Sequence, residues 1–239
     1  MRTRIFAFLA SLSIITPSQS WAEALEQSGE FGGVDLRYRV ILPDYYDPTS
    51  TYPTVLHFAG GSQNWRIVVS STESDWRAVA ENSGYIVISP AAPNGELFFR
   101  EGARVFPEFL DHILANYPVA DGKLHVTGHS NGGLSAFHIA SLYPHYFISV
   151  TGYPGLLGNN NSAQFEALAS LCIFMHVGDS DPSWRSAMNA QFLAMQGLDY
   201  EVSFRVENNQ VHRLKVSENN LKARLLMELE QARTSCLEP

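Results

Sequence analysis

The chain of 239 residues is poor in cysteine, in charge and in long apolar runs, and each shortage excludes something. It has only two cysteines, Cys172 and Cys236, so no cysteine-built metal site is expected. Charged residues make up 17%, and acids outnumber bases 24 to 16. The net charge of −8 argues against a nucleic-acid backbone or an anionic membrane surface as the main partner. Beyond the first twenty residues no apolar run approaches the ~18 that a spanning helix needs, so no stable membrane anchor is expected. Phosphate-binding loops, nucleotide fingerprints and metal-ligand spacings are absent too, so neither a cofactor nor a metal is expected. No repeat, linker or low-complexity tract divides the chain, and 45% hydrophobic residues suffice for one sizeable core.

What is present begins with "MRTRIFAFLASLSIITPSQSWAEAL". Arg2 and Arg4 precede an apolar stretch from Ile5 to Ile15, followed by small-x-small sites at Ser20-Trp21-Ala22 and Ala22-Glu23-Ala24. This is the pattern of a secretory signal peptide. The expectation is a signal over 1–22, one catalytic domain over 23–239, and a secreted or periplasmic protein. Cleavage after Ala22 would take two arginines with it and move the net charge from −8 to −10.

Downstream, apolar runs alternate with segments of helical period. Strands are expected at 34–43, 53–58, 85–90, 123–128, 146–153, 171–178 and 200–206. Helices are expected at 73–84, 100–118, 132–144, 162–170, 183–197 and 217–233, with Pro107 marking a first turn or a kink. Near-continuous apolar strands alternating with helices predict a single-domain α/β fold: a mostly parallel sheet with helices on both faces. No insertion between the late strands leaves room for a substantial cap domain.

Within this frame, Gly128-His129-Ser130-Asn131-Gly132 lies directly between a strand and a helix. Such a turn is tight enough to require glycine on either side, and it lifts the serine hydroxyl above the sheet's carboxyl edge as a nucleophile. A serine nucleophile there needs an acid and then a histidine, each on a loop after a later strand. Strand 171–178 runs into "GDSDPSW" and strand 200–206 into "ENNQVHRLK". His212 is the only histidine after those acids. Of the two acids Asp181 is favoured, because Asp179 suits capping the turn or the following helix. The oxyanion hole is assigned to the backbone N–H of Asn131 and to that of Ala59 or Gly60 in "LHFAGGSQNW". His129 is not assigned as the base, and His125, His138 and His176 are read as core or edge residues. Trp65, Phe98 and Trp184 lie on loops expected to line the substrate pocket.

"VTGHSNGGLSAFHIASLYPHYF", "VLHFAGGSQN", "HVGDSDP" and His212 together resemble the α/β-hydrolase superfamily. Within it the chain is most similar to lidless secreted esterases of the esterase D, feruloyl esterase and polyhydroxybutyrate-depolymerase kind. Phe58 stands where that family usually has the glycine of a His-Gly pair. The resemblance implies a serine hydrolase acting on small or polymer-linked carboxylic esters. Peptide or amide hydrolysis on the same three residues, or a non-catalytic binding protein of this fold, are the alternatives.

The strand order also bears on the cysteines. Cys172 begins a strand, at the end of the sheet away from the site. The last helix starts near the His212 loop and returns to that same far end, so a Cys172–Cys236 disulfide is expected.

Overall fold

The computed structural model describes residues 24–159, 161–217 and 220–237, so the expected signal segment lies outside the described residues. In chain order the main elements are β1 (Ala24–Phe31), β2 (Val34–Ile41), β3 (Thr54–Phe58), α1 (Trp65–Ser71), α2 (Arg77–Ser83) and β4 (Ile86–Pro90). They continue with α3 (Phe106–Asn116), β5 (Leu124–Gly128), α4 (Asn131–Leu142), β6 (Phe147–Gly152), α5 (Ser162–Ala167) and β7 (Cys172–Gly178). The chain closes with α6 (Pro182–Gln196), β8 (Val202–Glu207) and α7 (Leu221–Ser235).

The eight strands form one sheet in the order β1-β2-β4-β3-β5-β6-β7-β8. The β1–β2 and β2–β4 pairings are antiparallel, and every later pairing is parallel. The central strands β3, β5, β6 and β7 are buried throughout, which is why they read as unbroken apolar runs. Successive residues face opposite layers. Leu56 packs in the core shared with α3 and α4, whereas Val55 packs with Trp76, Val79 and the α7 leucines 221, 225 and 229. This is the doubly covered α/β sheet that the pattern predicts.

Several elements depart from the expected boundaries, chiefly β1, α1 and α3. β1 was not expected, since "ALEQSGEF" is an edge strand with alternate residues in solvent and little apolar signal. Its pairing is set by the turn at Gly32 and Gly33, both with positive φ (56° and 72°). The first helical layer starts at Trp65 rather than at residue 73. Asn64 caps it by accepting a hydrogen bond from the Ile67 N–H, and a π turn over Thr72–Trp76 links α1 to α2. Pro107 sits in the first turn of α3, where its missing N–H costs nothing, and the preceding residues form a 3-10 turn.

Cys172 and Cys236 are disulfide-bonded with their Cα atoms 5.9 Å apart, tying the start of β7 to the end of α7. The bridge closes a loop of sequence separation 64. Loop entropy of that size is worth about 4 kcal/mol. Cys172→Ser with Cys236→Ser is therefore expected to lower unfolding free energy by about 2–4 kcal/mol, read from urea midpoints with and without reductant. Equal midpoints would show that the bridge contributes nothing.

Beneath the β8 end of the sheet, His176 is completely buried between two glutamates. Its Nδ1 lies 3.0 Å from Glu207 and its Nε2 2.8 Å from Glu228, while Arg224 pairs with the same Glu207. Burial alone would lower the His176 pKa, but the two carboxylates together outweigh it and raise it. For Glu207 burial pushes upward, and the His176 and Arg224 partners outweigh it and lower the pKa. A raised histidine contributes stability below its unfolded pKa near 6.5 that is lost as pH climbs through the folded value. A lowered glutamate contributes stability that is lost as pH falls through its own folded value. Wild type is therefore expected to lose stability from pH 6 to pH 9, and His176→Gln to lose less. Parallel denaturation series with equal losses would contradict this.

Candidate active site

Ser130 joins β5 to α4 with φ 57° and ψ −121°, a left-handed conformation that serine adopts only where its surroundings enforce it. Its N–H donates to the Pro154 carbonyl at 2.8 Å. A Cβ on Gly128 would stand 2.1 Å from the Gly132 oxygen, and one on Gly132 would stand 2.1 Å from the Phe58 oxygen. The two glycines therefore let the turn fold against itself and against the end of β3. Ser130 occupies the N-cap of α4 yet makes no side-chain capping bond, which leaves its hydroxyl directed outward.

The structure brings Ser130, His212 and Asp181 into one hydrogen-bonded line. His212 Nε2 is 2.8 Å from Ser130 Oγ, and its Nδ1 is 2.6 Å from Asp181 Oδ2. With the ring proton on Nδ1, the imidazole donates to Asp181 and Nε2 accepts from the serine hydroxyl. Asp181 precedes α6 without capping it, and its side chain is 11% exposed against 40% for His212.

Asp179 has a different task. Its carboxylate accepts from the Asn209 N–H at 2.9 Å and from the Ser180 hydroxyl at 3.1 Å. The Asn209 bond leads in holding its pKa below the usual carboxylate range. Backbone bonds from Asp179 to Glu207 and from Ser180 to Gln210 join the same two loops. The acid loop and the His212 loop are thus fastened together independently of the Asp181–His212 contact.

Asn131 follows Ser130 into the helix, and its side-chain amide donates to the Gly61 carbonyl at 2.9 Å. This bond draws the Ala59-Gly60-Gly61 loop toward the serine. A Cβ on Gly60 would lie 2.5 Å from His129 Nδ1, so backbone there approaches as only glycine permits. Nothing in the local sequence singles out Gln63. It is fully buried with φ 53°, donates to Ser135 Oγ at 2.9 Å and accepts from the Phe98 N–H at 3.3 Å. It positions the same loop, and only its surroundings distinguish it from an ordinary loop glutamine.

Phe98 does not line a pocket: it is wholly buried against Phe58 and Phe106, with ring centroids 5.3 and 5.2 Å away. Phe58 belongs to the same core cluster. Trp65 is turned to Arg37, whose guanidinium stands 3.8 Å over its ring. Trp184 does lie at the site, its ring 5.3 Å from that of His212. His129 also neighbours His212, at 5.6 Å between rings. Burial first, then the charge of His212, lowers the His129 pKa to about 4, so it stays neutral beside the line of three.

Among the described residues no cluster of three or more His, Cys, Asp or Glu side chains is arranged to hold a metal ion. No described helix is long and apolar enough to cross a membrane.

Comparison with known proteins agrees with the fold. Residues 104–217 match the Esterase family model. Over 162 residues the chain is 27% identical to Dipeptidyl-peptidase 5 of Porphyromonas gingivalis, covering 63% of this chain and only 23% of that protein. A ferulic acid esterase structure superposes with TM-score 0.67 at 18% identity, covering 88% of this chain and 98% of the other. An S-formylglutathione hydrolase from Agrobacterium tumefaciens gives TM-score 0.66 at 15% identity, covering 92% of this chain and all of the other. The chain has the α/β fold of these hydrolases, and its central segment is the part that matches the Esterase family model.

Proposed function

We propose that the protein is a serine hydrolase of carboxylic esters, working through an acyl-enzyme on Ser130. The observation that carries this reading is the line Asp181–His212–Ser130, with contacts of 2.6 and 2.8 Å on three separate loops of the sheet's carboxyl edge. Ser130 Oγ attacks the acyl carbon as His212 Nε2 takes its proton. The tetrahedral intermediate's oxyanion is met by the N–H of Asn131 and by that of Ala59 or Gly60. His212 then protonates the leaving alcohol, and water, deprotonated by the same nitrogen, releases the acid. Asp181 holds the ring's tautomer and stabilises its charge throughout. No cofactor or metal enters these steps.

The N-terminal pattern over 1–22 supports export, and the Cys172–Cys236 bridge suits an oxidising compartment. The peptidase relative keeps amide hydrolysis in view as the second reading. A panel of 4-nitrophenyl esters and peptide 4-nitroanilides separates the two. Turnover of the esters supports the proposal, and turnover of anilides alone would overturn it.

The two acids give a sharper test. Asp181→Asn is expected to lower kcat about 10²–10⁴-fold, because it breaks the tautomer that keeps Nε2 free to accept. Asp179→Asn should cost far less, since it weakens a loop contact rather than the proton path. The reverse ranking in kcat would assign the acid to Asp179.

A further inference from the structure

A cavity of about 480 Å³ is lined by the immediate chain neighbours of the reacting serine and histidine, His129 and Arg213. Part of its wall is made by the segments that hold the reacting groups: Gly60 and Gly61 of the oxyanion loop, His129 just before Ser130, and Arg213 just after His212. The opposite wall is α1 and the π turn behind it, which present Arg66 and Asp75. The cavity thus shares its walls with the loops that carry Ser130 and His212.

The charge in the cavity runs against the rest of the molecule. Acids exceed bases by 24 to 16, and the chain's arginines are mostly paired with carboxylates, as at Arg37, Arg39, Arg104 and Arg224. Arg66 and Arg213 have no carboxylate partner among the described residues, and Arg213 makes only a 3.5 Å contact with the Ser74 hydroxyl. Two exposed guanidiniums thus face one cavity with neither engaged by a carboxylate. Asp75 is the one acid on the wall. Ser74 donates to it at 2.6 Å, burial raises its pKa, and the charge of Arg213 opposes that rise without an ion pair forming. Two cations against one poorly solvated acid leave the cavity positive.

We propose that this cavity is a carboxylate subsite, and that the preferred substrates are esters carrying a free carboxylate on one arm, clasped by Arg66 and Arg213. The inference rests on the esterase reading above. A guanidinium fork matches a planar carboxylate in two hydrogen bonds, which gives orientation as well as attraction. Charged hydrogen bonds of this kind correspond to roughly a ten- to hundredfold preference over an uncharged equivalent. Because both arginines are exposed, the preference should shrink as salt rises.

The test compares kcat/KM within matched pairs. For the acyl arm these are the 4-nitrophenyl half-esters of adipic and pimelic acid against their methyl-capped forms. For the alcohol arm they are 4-butyryloxybenzoate against its methyl ester. Wild type is expected to favour the anionic member in one of the two arms by about tenfold or more. Arg66→Gln should lower that ratio, and Arg66→Gln with Arg213→Gln should bring it near one. Asp75→Asn, which removes the opposing charge, should raise it. Arg66 is solvent-exposed, so its single variant tests the subsite without risk to folding. Ratios at or below one in both arms, ratios that the arginine substitutions leave alone, or preference for a trimethylammonium-bearing ester would each overturn the subsite. Hydrolysis of the neutral esters reports on the esterase reading separately. Its absence in wild type would overturn that reading and the subsite with it.

Discussion

Ser130→Ala is expected to lower kcat for an activated ester by about 10⁴–10⁶-fold with little change in melting temperature. The hydroxyl makes one contact that matters to chemistry, the 2.8 Å bond to His212, and no capping bond whose loss would weaken α4. Alanine keeps the Cβ that the turn already accommodates at φ 57°, so the strain is the same in both proteins. His212→Ala should cost a similar factor, because an unaided serine is a poor nucleophile at neutral pH. The double variant should be little worse than either single one, since the two groups act as a unit. Initial rates of all three, beside far-ultraviolet circular dichroism, check this. Losses that multiply would mean the two residues serve separate steps.

Gly132→Ala is expected to be among the most damaging single methyls in the molecule. The added Cβ would meet the Phe58 oxygen at 2.1 Å and the Ala59 oxygen at 2.5 Å, both backbone atoms held by β3 and its following loop. Neither can retreat as a flexible side chain would, so α4 or the oxyanion loop must shift by roughly an ångström in a close-packed layer. The expected cost exceeds about 4 kcal/mol, enough to remove most of a typical domain's stability. Gly197→Ala is the control: it follows α6 with φ −67°, and its nearest neighbour is an ordinary 3.4 Å away. It should stay within about 1 kcal/mol of wild type. A Gly132→Ala protein that melts near wild type would mean the turn is not packed as described.

Much of the fold was legible because buried parallel strands leave unbroken apolar runs, and all seven expected strands, the alternating 34–43 among them, lay where the sheet has β2 to β8. That Ser130, Asp181 and His212 would meet at one edge was legible too, since the topology carries strand ends there. The disulfide followed from the same directional reasoning. What escaped depended on partners distant in sequence. β1 carries little signal because one face and one edge are wet. The start of α1 hinges on a single Asn64 cap. Phe98 looked like a pocket aromatic because a loop residue's burial is decided by Phe58 and Phe106, not by its neighbours in the chain. Gln63 and the pairing of Arg66 with Arg213 across one cavity likewise exist only once α1 and the His212 loop have docked.

The central claim is that Ser130 is an activated nucleophile in the folded protein. It is tested most directly by adding one equivalent of a fluorophosphonate, measuring the intact mass and mapping the modified peptide. The account predicts a single adduct on Ser130, formed rapidly, slowed by competing ester and nearly abolished by His212→Ala. A folded wild-type protein that stays unmodified, or is modified at another residue, would contradict it.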